Sequence, residues 1–416
     1  MPMRAAALLR RRLILLILLP LLGGCAAIIR QDPPPPVVAR DLPVLGIPNA
    51  RFWPDAAPDA LLLEAQLVAT REAASRGAAQ AARRGAVATS VPPPAHFLAL
   101  SGGGDNGAFG AGLLVGWTAA GTRPEFTVVT GISAGALIAP FAFLGPDYDD
   151  ALRDLFTAVA PGDLLRFNTR ILALLFGEAL ADTSPLYRLI QRQADERMLA
   201  AIAREYARGR LLLIGTTNLD LQRPVVWNIG AIAASGHPRA LDLFRQILLA
   251  SASIPGAFPP VLVDVEQDGR RFQEMHVDGG AAVQVFFNPP QLALDAPLLE
   301  SAGQRRRILH VVRNGRIDLE ATSVTRGLFS IASRSISTLL HFSGVNDIMR
   351  IYLTAQRDRM AFRLAYIGAD FQAPRREPFD PAYMRALFDY GHAKGASGEG
   401  WVTVPPLVAS FEAPAR

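Results

Sequence analysis

Cysteine is all but absent: Cys25 is the single one in 416 residues. No disulfide can form within the chain, so packing alone must hold it together. Histidine is scarce too, with six residues, and these six and the lone cysteine fall at no spacing that reads as a metal site. Neither a metal nor a cofactor is expected. The apolar run LILLILLPLLGG at 13–24 is interrupted by Pro20 and falls short of the roughly 20 residues that a spanning helix needs. No basic run interleaved with aromatics follows it, which leaves nucleic-acid binding without an electrostatic footprint. Internal repeats are absent as well.

What is present divides the chain in two. Arg4, Arg10, Arg11 and Arg12 precede the short apolar run, the arrangement of an export signal. Removing them takes most of the formal charge of +5 with them. The run ends in LLGG before Cys25, which resembles the lipobox of bacterial lipoproteins. That resemblance implies a signal peptide at 1–24, lipidation of Cys25 as the mature N-terminus and an envelope location; Ala26 rather than aspartate after the cysteine points to the outer membrane. A lone buried thiol is the plainer reading of Cys25.

Residues 25–95 form a second region: a proline-rich stretch read as a tether that stands the body off the membrane, then an alanine-rich helix over 60–85. From His96 the pattern alternates strand and helix. HFLAL, FTVVTG, RLLLIGTT, PVVWNIG, PPVLVDV, RRFQEMHVDG, RILHVV and FRLAYIG read as strands, with helices near 186–207, 238–251, 324–358 and 379–394. With half of the residues hydrophobic, this predicts an α/β protein with a largely buried sheet. The body is expected over 96–396, with a tail at 397–416.

Two loops in that body carry chemistry. In LALSGGGDNGAFGAG, Gly102, Gly104 and Gly107 satisfy GxGxxG between a strand and a helix. A dinucleotide site also wants an acid at the carboxyl end of the next strand; Glu125 stands at the opposite end, and Thr130, Gly131 and Ser133 occupy the place instead. A nucleotide-phosphate loop fails because Ala108 and Phe109 replace the required lysine and hydroxyl residue. The remaining reading is a cradle of backbone N–H groups for an oxyanion.

TGISAGAL at 130–137 places Ser133 at GxSxG spacing after an apolar strand. Gly131 and Gly135 suit a nucleophile elbow, whose sharp strand-to-helix turn tolerates only small flanking residues. A serine needs a base. Asp278, in MHVDGG, ends a strand ahead of two glycines; it could face the same cleft or merely cap its turn. His276, His310 and His392 are the alternatives.

SGGGDNGAFG, GISAG, ASASIPGAFPPV and VDGG, in that order, resemble the patatin-like phospholipase family over about residues 96–396. The resemblance implies a three-layer α/β/α hydrolase fold with a mainly parallel central sheet. It makes Ser133 the nucleophile and Asp278 its general base, in a dyad rather than a triad. Gly102, Gly103 and Gly104 match the family's oxyanion loop, and the ASASIPGAFPPV segment, with its prolines, matches a structural element beneath the site. Two departures stand out: Asn106 occupies a place where the family's loop often carries a basic residue, and AAVQVFFNPP is longer than the usual approach to an Asn-Pro pair, here at Asn288.

The expected chemistry is therefore hydrolysis of fatty-acyl esters of phospholipids or related lipids through an acyl-serine. An acyltransferase on the same dyad and a catalytically silent, lipid-tethered envelope protein are the competing readings. RFNTRILALLFGEAL at 166–180 could line an acyl channel, or be an ordinary flanking helix. The partners expected are the acyl lipid and the membrane reached through Cys25, with no nucleic acid and no obligate protein partner.

Overall fold

The computed structural model describes residues 30–39, 42–56, 59–82, 93–158, 162, 166–167, 181–287 and 305–408. Cys25, the signal segment, Asn288 and residues 168–180 lie outside the described residues.

Nine strands form one sheet. In chain order they are β1 (Arg51–Phe52), β2 (Ala95–Leu100), β3 (Val128–Ile132), β4 (Leu211–Asn218), β5 (Arg223–Asn228), β6 (Val261–Gln267), β7 (Arg270–Asp278), β8 (Arg307–Arg313) and β9 (Ala361–Tyr366). The central five, ordered β9-β8-β2-β3-β4, run parallel; β5, β1, β7 and β6 add antiparallel pairings beyond them. This is the mixed, mostly parallel sheet expected, and it is covered on both faces.

Side-chain alternation explains the layering. Along β2, Leu98 and Leu100 enter one apolar cluster while Ala95, Phe97 and Ala99 enter another. The first face is covered by α2 (Gly107–Ala119), α3 (Ala134–Leu144), α4 (Asp149–Thr157), α5 (Ser184–Gln193), α6 (Glu196–Ala207), α7 (Ile229–Ala234), α8 (Ala240–Ser251) and α10 (Pro381–Ser397), which supply such residues as Leu113, Ile138, Leu152, Ile247 and Leu387. Val68 of α1 (Asp59–Ala82) and Val345, Ile348 and Ile351 of α9 (Leu328–Arg357) cover the second. A strand buried on both faces reads as a continuous apolar run, which is why HFLAL and RLLLIG stand out in the sequence.

The segment expected to be a free tether is largely part of the body. Leu42, Val44, Ile47 and Ala50 are buried in the main apolar cluster, and β1 pairs with β5 with Arg51 opposite Trp227. The Arg51 guanidinium forms a buried ion pair with Glu274, which also accepts from Asn218 and meets His276. Burial alone would raise the Glu274 carboxyl; the His276 hydrogen bond and the Arg51 charge outweigh it and hold it down to about 2. The prolines drew attention to extended backbone, but the apolar residues between them find a sheet edge to cover.

Candidate active site

Ser133 follows β3 and caps α3 with φ 55° and ψ −125°, a conformation that few residues other than glycine adopt. The surrounding turn leaves no space for side chains. A Cβ at Gly131 would lie 2.4 Å from the Gly135 carbonyl oxygen, and one at Gly135 would lie 2.4 Å from that of Leu100. The elbow is therefore wedged against the end of β2, and the start of α3 adds partial positive charge beside the hydroxyl.

Asp278 reaches the same place through the sheet. The first five residues of β4 pair with β3, ending at Ile132 opposite Gly215. β3 then turns away at the elbow, and β7 takes over the vacated edge of β4, with Asp278 opposite Thr216. Ser133 and Asp278 thus follow one another along one strand edge although their numbers differ by 145. The Ser133 hydroxyl stands close enough to the Asp278 carboxylate to favour its ionised form, and the carboxylate accepts the Gly280 N–H at Oδ1 at 2.7 Å. Asp278 caps its turn while its carboxylate also meets Ser133.

The pair is nearly dry, with Ser133 6 % and Asp278 4 % exposed. Burial drives the Asp278 carboxyl up from its ordinary value to about 7, against the opposing effect of the Ser133 hydroxyl and the Gly280 N–H. The three histidines stand elsewhere. His276 directs its ring nitrogens to Thr216 and Glu274. His310 packs among His96, Trp117 and Trp401, where burial, with the charges of His96 and Arg363, pushes it down to about 3. The backbone of His392 packs against Gly116.

The glycine loop lies directly over the serine: a Cβ at Gly102 would be 3.1 Å from Ser133 Cβ. Its three glycines are not equivalent, however. The Gly102 N–H donates to the Gln284 carbonyl at 3.0 Å and is occupied. The N–H groups of Gly103 and Gly104 donate to no acceptor among the described residues. The three-amide cradle expected from the sequence is thus corrected to two, because the loop needs one amide to fasten itself to the chain beyond Asp278.

Two residues missed by the sequence reading hold this arrangement. Asn314, just past the end of β8, donates from Nδ2 to the Ser101 carbonyl at 2.8 Å and accepts from the Gly110 N–H at 3.1 Å. It clamps both ends of the glycine loop, and its backbone oxygen would be 2.0 Å from a Cβ at Gly103. Its signal was its place at the carboxyl end of a parallel strand, where ligand sites gather. Ser251 accepts the Ser133 backbone N–H at 3.0 Å and donates to the Gly215 carbonyl at 2.7 Å. Ser253, two residues on, takes the Asp278 N–H at 2.9 Å. The ASASIP segment therefore positions both partners of the pair. Asn106, where a basic residue was looked for, accepts from the Tyr383 hydroxyl at 2.7 Å.

An apolar cleft opens beside the serine, lined by Leu137, Leu155, Phe156, Leu186, Phe258 and Met384. A second small apolar pocket shares Leu137, Leu155 and Leu186 with it and adds Pro140, Ile190 and Leu248. Such a wall suits a hydrocarbon chain and offers nothing to a sugar or a charged group.

Fold and site together define the class: an α/β hydrolytic architecture with a serine on a strand-to-helix elbow, a buried carboxylate against it and two open amides above. Residues 98–294 match the family model described as Patatin-like phospholipase, and the match supports a lipid acyl hydrolase. No curated protein sequence matches the chain. Among solved structures, VipD from Legionella pneumophila is similar at 12 % identity and TM-score 0.35, over 75 % of this chain and 68 % of that one. The type III effector protein ExoU is similar at 18 % identity and TM-score 0.30, over 75 % of this chain and 54 % of its own. Human GIVD cytosolic phospholipase A2 gives 11 % and 0.34, over 86 % and 65 %.

Proposed function

We propose that the protein cleaves fatty-acyl esters of phospholipids or related lipids with Ser133 as nucleophile and Asp278 as its only base. The observation that carries this reading is the meeting of the two side chains in a dry site at one strand edge, with His276 engaged elsewhere. Asp278 takes the hydroxyl proton as Ser133 Oγ attacks the ester carbonyl carbon. The N–H groups of Gly103 and Gly104 hold the resulting oxyanion. Collapse breaks the ester C–O bond, and the leaving alcohol takes the proton from Asp278. Water then attacks the acyl-serine, gives a proton to the same carboxylate, and the fatty acid departs as Ser133 recovers its hydrogen. The fatty-acyl chain would lie in the apolar cleft along α3.

The base must be ionised to act, so its upward shift sets a pH limb. Fatty-acid release from phospholipid vesicles is expected to rise with pH and reach half its plateau near pH 7, falling about tenfold per unit below that. A rate that is flat from pH 5 to 9, or no release at all, would sink the mechanism.

We further propose that Cys25 is lipidated after loss of residues 1–24 and holds the chain to a bacterial envelope membrane. Arg30 is paired with Asp220, and the Gln31 N–H donates to Gln273 Oε1 at 3.0 Å, so the chain is fastened to the body there. The reach from Cys25 to Arg30 is at most about 18 Å, which seats the body close to the lipid rather than off it. Mass spectrometry of the mature N-terminal peptide is expected to find acylated Cys25, and Cys25→Ser to abolish that acylation; an intact residue 1 in the membrane-bound protein contradicts the proposal.

A further inference from the structure

α9 does two different things along its length. Val345, Ile348, Ile351 and Ala355 pack on the sheet, whereas none of the described side chains of α9 before Val345 joins an apolar cluster. The connection from β8 through α9 to the parallel β9 fixes the direction of this split. The helix must start at the carboxyl ends of the strands, where the site lies, and finish at their amino ends. Asp347 marks the level of the site, since its Oδ2 accepts the Gln284 N–H at 2.7 Å. Residues 328–344 therefore overhang that edge by about 25 Å at 1.5 Å per residue.

The overhang is amphipathic with its apolar side outward. At 100° per residue, Leu328, Ile331, Ile336, Leu339 and Phe342 fall within an arc of about 140°, and each is between 49 and 79 % exposed. Ser330, Ser333, Arg334, Ser337 and His341 share the opposite arc. From 321 to 346 the only formally charged side chains are Arg326 and Arg334, and there is no acid at all.

We infer that residues 328–343 are a membrane-contacting helix that lies in the lipid interface and brings the active-site edge down onto it. Three observations select a lipid surface as the occupant. The charge is purely basic, complementary to anionic headgroups. None of the described helices, α9 included, is long and apolar enough to cross a membrane, so a lipid contact made by α9 runs along the surface. The chain leading to Cys25 also leaves the body at this end: Arg30 docks on Asp220, in the turn that follows the carboxyl end of β4, parallel to β8. This deepens the proposed lipid hydrolysis and rests on it only for the meaning of the contact, not for the contact itself.

The test uses the full chain as Cys25→Ser, so that no lipid anchor contributes, and vesicles of phosphatidylethanolamine and phosphatidylglycerol at 3:1. Adding Ile336→Glu with Leu339→Glu is expected to lower vesicle co-sedimentation at least tenfold. The ratio of vesicle hydrolysis to hydrolysis of soluble p-nitrophenyl butyrate should fall with it. Ser333→Glu with Ser337→Glu, equal in charge on the polar arc, should keep both within threefold. Because Cys25 is the only cysteine, Leu339→Cys in the same background can carry an environment-sensitive dye, whose emission should shift to the blue on vesicles. Equal losses for the two glutamate pairs, unchanged binding, no dye shift, or a dimer that the Ile336/Leu339 pair converts to monomer would each overturn the inference; the last would assign the stripe to a second copy of this chain. If the unsubstituted chain hydrolyses neither substrate, the hydrolase reading fails, while sedimentation and dye still decide the contact.

Discussion

Ser133→Ala is expected to lower acyl-ester turnover by about 10⁴-fold or more and to leave a folded protein that no serine-directed phosphonate can label. The loss is large because, in the proposed mechanism, the hydroxyl forms the covalent bond of the reaction and no neighbouring group replaces it. The fold should survive because the structural bond of residue 133 is made by its backbone: the N–H donates to Ser251 Oγ at 3.0 Å, and alanine keeps that donor. The left-handed backbone at 133 is the same strain for alanine as for serine, so stability changes little on that account. A second effect follows from the carboxylate. The Ser133 hydroxyl lowers the Asp278 carboxyl, so its removal moves that group further up from about 7. Phosphonate labelling of the variant at the wild-type rate, or turnover within a hundredfold of wild type, would place the nucleophile elsewhere.

The elbow and the carboxylate were legible in the sequence because each announces itself locally. Gly131 and Gly135 are demanded by contacts within a few residues and with the end of the adjoining strand, and Asp278 stands where a strand stops. Their meeting was not legible in the same way. It depends on β7 replacing β3 along the edge of β4, a pairing between distant segments that leaves no periodic signature. The glycine loop shows the same boundary. Three consecutive glycines read alike, yet Gly102 is bound to Gln284, and only the fold distinguishes it from Gly103 and Gly104. Asn314 was invisible for a related reason, and Ser251 was legible only as part of a structural segment: a polar residue acquires its role from the backbone groups that the fold brings to it. Over 42–56, proline overrode the apolar residues in the sequence reading, while in the fold burial of Val44, Ile47 and Phe52 decided the outcome.

Asp278→Asn separates chemistry from stability, because the two should move in opposite directions. Turnover is expected to fall by 10² to 10⁴-fold, since an amide cannot take the Ser133 proton, and any residual activity should lose the limb near pH 7. The fold is retained because Asn Oδ1 can still accept the Gly280 N–H. Stability follows from the sign of the shift. A carboxyl raised in the folded state to about 7 from an ordinary 3.8 favours folding in its protonated form. That advantage is complete below about pH 4 and is lost as pH rises through 7, on the order of 4 kcal/mol in total. Asparagine is neutral throughout and escapes the loss. The gain of Asp278→Asn over wild type in denaturant unfolding should therefore grow by about 2 to 3 kcal/mol between pH 5 and pH 8. Turnover within tenfold of wild type would show that another group is the base. A gain that does not grow with pH would show instead that Asp278 ionises easily inside the fold, and its basicity could then not be traced to burial, because the desolvation that raises the carboxyl is the same one that strains the folded chain.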